Sequence, residues 1–339
     1  MQGPCNRSRQ NEFVAPARLA RLCLMAFAAL APWHLVQAQS WPAKPVRLVV
    51  PFGPGGAVDV LGRQLAEKLS PQWGQPVVVE NRPGSATIAA AELVARSAAD
   101  GHTLLFTGSG TVSINPHLFA RLPYDAEKDL VPVTMPALMP QVLTVHPSLK
   151  VTTLPEVIAL ARAKPGTINY GSPGIGTQAH LAMEMLKAKA GVNLVHVPYK
   201  GGPQAGIAAV AGEVQLIVSA IPSAQPHLSA GRLKAIAIDG SKRSARMPEV
   251  PTFAELGYPE VVAYVAFGLF APGGTPREVI MRIYRDTARV VADPEFREKY
   301  IAASGYEPVG SSPEEFSAYL RKESELYARA IKISGTKID

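Results

Sequence analysis

The sequence predicts an α/β protein of two lobes in series, and three observations lead there. Its 339 residues exceed one ordinary domain of roughly 100–200 residues. Strand-like apolar runs alternate with amphipathic helical stretches, the pattern of parallel sheets covered by helices. The unit strand, glycine-rich turn, helix occurs twice, over residues 46–69 and 168–190.

Residues 1–38 carry the pattern of an export signal. Arg18 and Arg21 precede an apolar run from Leu22 to Ala31, and Val36-Gln37-Ala38 supplies small residues before a cut, so a mature periplasmic chain starting near Gln39 is expected. Both cysteines, Cys5 and Cys23, fall in that segment, which leaves core burial to stabilise the remainder. Its removal takes four arginines and one glutamate and lowers the formal net charge from +7 to +4. The densest basic patch, Lys242-Arg243 with Arg246, is short and has no interleaved aromatics, which argues against nucleic-acid binding. An apolar fraction of 47% with 18% charged residues is that of a soluble globular chain.

The first lobe opens with Val46-Arg47-Leu48-Val49-Val50, running into Pro51-Phe52-Gly53-Pro54-Gly55-Gly56. Val58, Leu61, Leu65 and Leu69 then recur at steps of three and four, predicting a helix over 57–69. Such a turn leaves the first helical N–H groups unpaired, and its glycines let a ligand approach them, so it is a candidate anion site. The helix dipole adds about 0.3–1 kcal/mol per charge. A plain tight turn is the competing reading. A strand at 77–79, a helix over 86–98 and a strand at 103–106 follow, closed by Gly108-Ser109-Gly110-Thr111. Ligands in open α/β sheets sit at the carboxyl ends of strands, which places Ser109 and Thr111 in one crevice with the first glycine turn.

Prolines 132, 136, 140 and 147 punctuate the next stretch, which fits a strand connecting two lobes. A second series is expected: helix 154–163, strand 168–170, the loop Gly171-Ser172-Pro173-Gly174-Ile175-Gly176-Thr177, helix 178–190, strand 194–197, a short helix ending at Ala211, and strands at 214–218 and 233–238. A return strand over 261–270 and two helices, 276–292 and 313–331, complete the chain, with both helices expected to pack on the first lobe. The lobes so defined are 41–139 plus 263–339, and 140–262.

The glycine turns come close to a dinucleotide fingerprint but miss it. Gly53-Pro54-Gly55 has Val58 at the third glycine position, and Gly174-Ile175-Gly176-Thr177-Gln178-Ala179 has no acid after the following strand. No nucleophile elbow, phosphate loop or His-Glu-x-x-His helix occurs, so no cofactor or metal is expected. Candidate site residues remain. His180, in the first turn of the second-loop helix, either donates to a bound acid or pairs with Glu184. Ser172 and Thr177 bracket the loop, with hydroxyls suited to a cap or to a carboxylate, and Thr177 is expected to cap in either case. Asp59 is either a dipole-favoured first-turn acid or the partner of a ligand amine. A secreted α/β enzyme built around His180 is the rival class.

Trp41-Pro42, the run from Val46 to Phe52 with Gly55-Gly56, Val79-Glu80-Asn81-Arg82-Pro83-Gly84, Asp100-Gly101-His102-Thr103, Ile114-Asn115-Pro116-His117-Leu118 and Leu122-Pro123-Tyr124-Asp125 together resemble the Bug receptors, the periplasmic substrate-binding proteins of tripartite tricarboxylate transporters. Gly171-Ser172-Pro173-Gly174, Val197-Pro198-Tyr199-Lys200-Gly201, Pro248-Glu249-Val250-Pro251-Thr252 and Ala271-Pro272-Gly273-Gly274-Thr275-Pro276 extend the resemblance over nearly all of residues 41 to 330. It implies a two-lobed type II periplasmic-binding-protein fold that closes on a small carboxylate held by backbone amides and bound waters. Carried over by position, the ligand site is Phe52, Gly55, Gly56 and Asp59, then Ser109 and Thr111, then Ser172, Gly176, Thr177 and His180. The implied partners are the membrane permease subunits of such a transporter, or a sensor protein, served by a monomeric receptor. Two departures stand out: Ser85-Ala86-Thr87 replaces further glycines, and Ser219 stands where many members carry an aspartate that meets a ligand ammonium.

Overall fold

The structure, a computed structural model, describes Gly3, residues 41–240 and residues 242–338; apart from Gly3, the expected export signal lies outside the described residues. β1 (Val46–Val50) leads through the glycine turn into α1 (Ala57–Trp73), β2 (Val77–Asn81), α2 (Ile88–Ala95) and β3 (Thr103–Gly108). β4 (Leu130–Met139) runs to Pro140, where β5 (Gln141–Val145) begins. The second series is α3 (Leu154–Ala163), β6 (Asn169–Ser172), α4 (Gln178–Ala190), β7 (Val195–Pro198), α5 (Gly202–Ala211), β8 (Leu216–Ala220), α6 (Ile221–Ser229) and β9 (Lys234–Ile238). β10 (Val265–Pro272), α7 (Arg277–Ala292), β11 (Glu307–Pro308) and α8 (Pro313–Ser334) follow.

Two sheets result, in the orders β11-β4-β10-β3-β1-β2 and β7-β6-β8-β5-β9. Within the first, β2, β1 and β3 are parallel, while β10 runs antiparallel to both β3 and β4. In the second, β7, β6 and β8 are parallel and β5 runs antiparallel to β8 and β9. The chain changes sheet at Pro140, which has no N–H to give to a ladder. The return crossing is pinned by two buried hydrogen bonds: Ala263 N–H donates to Asp239, and the Gln141 amide donates to the Ala263 carbonyl. Those contacts keep 261–264 out of the sheet, so the return strand starts at Val265 and not at Val261.

The helices differ from expectation at four places, each with a local cause. α1 gains a turn because Trp73 continues its apolar stripe, packs edge-on against Trp41, and donates its indole N–H to Asp286 of α7 at 2.9 Å. α2 begins two residues late, since Ala86 and Thr87 take left-handed φ values of 49° and 73°, and it ends at Ala95, three residues short of the expected Ala98. α6 lies between two expected strands where no helix was expected; Pro222 lies in its first turn, where its missing N–H costs nothing. Lastly, α8 does not pack on the first sheet alone. Phe316 and Leu320 join a core with Phe270 of β10, while Tyr327, Ala330 and Ile331 join the second sheet's core with Leu181 and Leu186. A helix of 22 residues is about 33 Å long, enough to lie across both. Among the described residues no helix is long and apolar enough to cross a membrane.

Candidate functional site

Each glycine turn ends in the same local design. In the first, Gly55 has φ +84°, Gly56 is the residue before α1, and Asp59, the third helical residue, accepts the Gly55 N–H at 2.8 Å. In the second, Gly176 has φ +76°, Thr177 caps α4 by accepting the His180 N–H, and His180, again the third helical residue, accepts the Gly176 N–H on Nδ1 at 3.1 Å. A left-handed glycine turns the chain, and a side chain one helical turn on ties it down. With those amides engaged, the N–H groups of Ala57 and Val58 in one loop and Gln178 and Ala179 in the other make no hydrogen bond among the described residues. They are the groups left for an anion at the two helix N-termini.

The topology brings the second loop against the turn that follows β3. β1 and β3 are neighbours and parallel, so the turns that follow them leave the same end of the sheet, at the strands' carboxyl ends. A Cβ on Gly110, after β3, would lie 3.0 Å from Gln178 Nε2 of α4, and one on Gly176 would collide with Leu118. The second loop therefore abuts the turn beside the first.

Asp59 is 2% exposed and its oxygens are committed. Besides Gly55, it accepts from Arg63 Nε at 3.1 Å and from Asn81 Nδ2 at 2.7 Å; Asn81 also donates to the Phe52 carbonyl and accepts from Arg63 Nη2. Burial acts to raise its pKa, but the hydrogen bonds from Arg63, Gly55 and Asn81 prevail and hold the carboxyl below the usual range. Phe52 keeps its ring partly exposed at the turn. Arg63 and Asn81 were not singled out from sequence, although the four-residue spacing of Asp59 and Arg63 is a readable helical pair.

The hydroxyls of Ser109 and Thr111 are buried and bonded within the protein. Ser109 Oγ donates to Glu323 Oε1 of α8 at 2.9 Å, and Thr111 Oγ1 lies 2.8 Å from Thr107 Oγ1 and 2.9 Å from Thr87 Oγ1. Burial pushes the Glu323 carboxyl up to about 7, against hydrogen bonds that favour its charge. Ser172 is buried beneath the second loop, where it holds Gly174 and meets His196 Nε2 at 2.6 Å. His180 does not pair with Glu184, whose carboxylate accepts instead from Tyr170 and Lys187. Ser219 lies half-buried on β8, opposite Val142. Among the mapped cavities, one of about 630 Å³ lies elsewhere, beside the second sheet between the start of α3, the outer edge of β9 and residues 246–256.

The chain as a whole is similar to known proteins. The profile of the tripartite tricarboxylate transporter family receptor matches residues 61–335. Protein BugT of Bordetella pertussis is 37% identical over 304 residues, covering 89% of this chain and 93% of BugT. An R. palustris protein solved with adipate superposes with a TM-score of 0.79 at 33% identity, covering 88% of this chain and 99% of that one. The periplasmic binding protein BugD gives a TM-score of 0.75 at 29% identity, over 88% of this chain and 99% of BugD. MatC from Rhodopseudomonas palustris, solved with bound malate, gives 0.74 at 29% identity, over 86% of this chain and 100% of MatC.

Proposed function

The chain belongs to the tripartite tricarboxylate transporter receptor family, and from that premise we propose that it is an exported, non-catalytic receptor that captures a small carboxylate between its two lobes, at their glycine turns. The observation that carries this reading is the pair of helix N-termini with free N–H groups at Ala57, Val58, Gln178 and Ala179, beside side chains already bonded to one another. Backbone donors of this kind recognise a carboxylate without a counter-charge. The lobes proposed to close on it are 41–139 plus 263–339, and 140–262, moving about the crossings at Pro140 and Asp239–Ala263 and about α8, whose Tyr327, Ala330 and Ile331 pack in the second sheet's core.

Asp59 is bound up with Gly55, Arg63 and Asn81, and Ser219 replaces an acid, so a ligand ammonium finds no free partner among the proposed site residues. Burying an unpaired ammonium costs several kcal/mol. The ligand is therefore a plain mono- or dicarboxylate, or an aromatic acid stacked on Phe52, rather than an amino acid, in keeping with the adipate and malate bound by two structural relatives. A monomeric receptor, cut near Ala38 and delivering to permease subunits, completes the proposal. Isothermal titration of succinate against aspartate tests it: succinate binds more tightly, and a consistent preference for aspartate would sink the reading.

A further inference from the structure

The second glycine loop rests on three stacked rings that ligand capture by backbone amides does not itself require. Tyr170 and His196 have centroids 4.8 Å apart, and His196 and His180 4.0 Å apart, tilted by 18° and 21°. From this stack two ring nitrogens reach the loop: His180 Nδ1 takes the Gly176 N–H, and His196 Nε2 meets Ser172 Oγ, which itself takes the Gly174 N–H at 3.2 Å. Asp59 occupies the matching place in the first lobe. One loop is tied by a carboxylate and the other by an imidazole; a protonated carboxyl still keeps an acceptor oxygen, whereas a protonated imidazole keeps no acceptor at all.

We infer that His180 is the positioning residue of the second loop: neutral, it holds Gly176 and aims the α4 N-terminus, and protonated, it releases the loop and weakens carboxylate binding. A proton on Nδ1 would set one N–H against another, and two donors cannot share a bond. The charged and titratable groups around the stack are Tyr170 on β6, His196 on β7, and Glu184 and Lys187 on α4. Glu184 is neutralised by Lys187, 2.7 and 3.0 Å from its two oxygens, and accepts the Tyr170 hydroxyl. Burial lowers the pKa of both imidazoles, with Glu184 opposing and Lys187 assisting, and the neighbouring His180 helps hold His196 down to about 4.

The ligand arm of this inference rests on the carboxylate reading above, so the test carries a second, ligand-free arm. Amide NMR on the mature protein without ligand follows Gly176 and Gly55 from about pH 8 to about pH 4, beside the His180 ring resonances. Adipate affinity is measured by calorimetry over the same range for wild type, His180→Asn and His180→Leu. Gly176 should lose protection as His180 titrates, Gly55 should not, and wild-type adipate affinity should fall by about tenfold or more. His180→Asn keeps an oxygen acceptor that does not titrate, so its Gly176 stays protected and its affinity profile flattens to adipate's own ionisation. His180→Leu should lose Gly176 protection already near neutrality. A Gly176 amide indifferent to His180 titration, or the wild-type pH profile surviving in His180→Asn, overturns the inference. Loss of Gly176 protection as described, with adipate binding at no pH, would leave the positioning role standing and remove the carboxylate reading.

Discussion

Replacing Asp59 by alanine separates a loop anchor from a ligand partner. The carboxylate accepts from Gly55 at 2.8 Å, Arg63 at 3.1 Å and Asn81 at 2.7 Å, so alanine strips an acceptor from three donors at once. A hydrogen bond to a buried charged group contributes about 1.5–3 kcal/mol. Here Arg63 is half exposed and Gly55 lies at the surface, so both regain water in the variant, and the ion pair itself is worth little. The expected net loss is about 2 kcal/mol, read as a lower urea midpoint at unchanged slope. Succinate affinity should fall as well, because the Gly55 turn that presents Ala57 and Val58 is no longer fixed. Unchanged stability together with selective loss of amino-acid binding would refute this reasoning and make Asp59 the amine partner.

Ala86 sits in the left-handed region at φ 49°, where a Cβ is strained by about 1 kcal/mol, so Ala86→Gly should raise stability by about 0.5–1 kcal/mol in a urea titration; a loss would show that the turn is not strained. Gly176→Ala places a methyl on Leu118 at a positive φ and should abolish adipate binding in calorimetry while sparing secondary structure in circular dichroism. Glu323 has its folded pKa raised from 4.5 to about 7, so the folded state binds the extra proton between those values, and its contribution is present below about 4.5 and lost as pH rises through 7. Its removal in Glu323→Gln should lessen the fall in stability over that range by roughly 3 kcal/mol, the equivalent of 2.5 pK units, and an unaltered pH profile would show that this carboxyl is not buried in solution.

Periodicity and punctuation carried most of the fold. α3 and α4 begin and end where the apolar spacing and flanking residues put them, at 154–163 and 178–190, because Thr153 and Thr177 are readable caps and Gly191 is a readable stop. The β4 to β5 crossing was legible in Pro140. What escaped depended on tertiary partners: α6 carries its own prolines, and the crossing at 261–264 is decided by Asp239 and Gln141, which no local pattern connects to Ala263. The same division holds at the candidate site. The glycine turns and the Thr177 cap are local signals and form as expected, whereas Ser109 finds its partner 214 residues away in sequence and Thr111, besides the nearby Thr107, finds one in the strained turn at Thr87. The imidazole stack was out of reach as well, since Tyr170 and His196 meet only through the parallel register of β6 and β7.

A crystal structure of the mature protein grown with adipate tests capture between the two glycine turns most directly. One carboxylate group or its bound waters should lie on the N–H groups of Ala57 and Val58, the ligand should also reach those of Gln178 and Ala179, and Asp59 should remain bonded to Gly55, Arg63 and Asn81. Adipate seated instead in the cavity beside β9, or bound to one lobe with the other turn untouched, would contradict it.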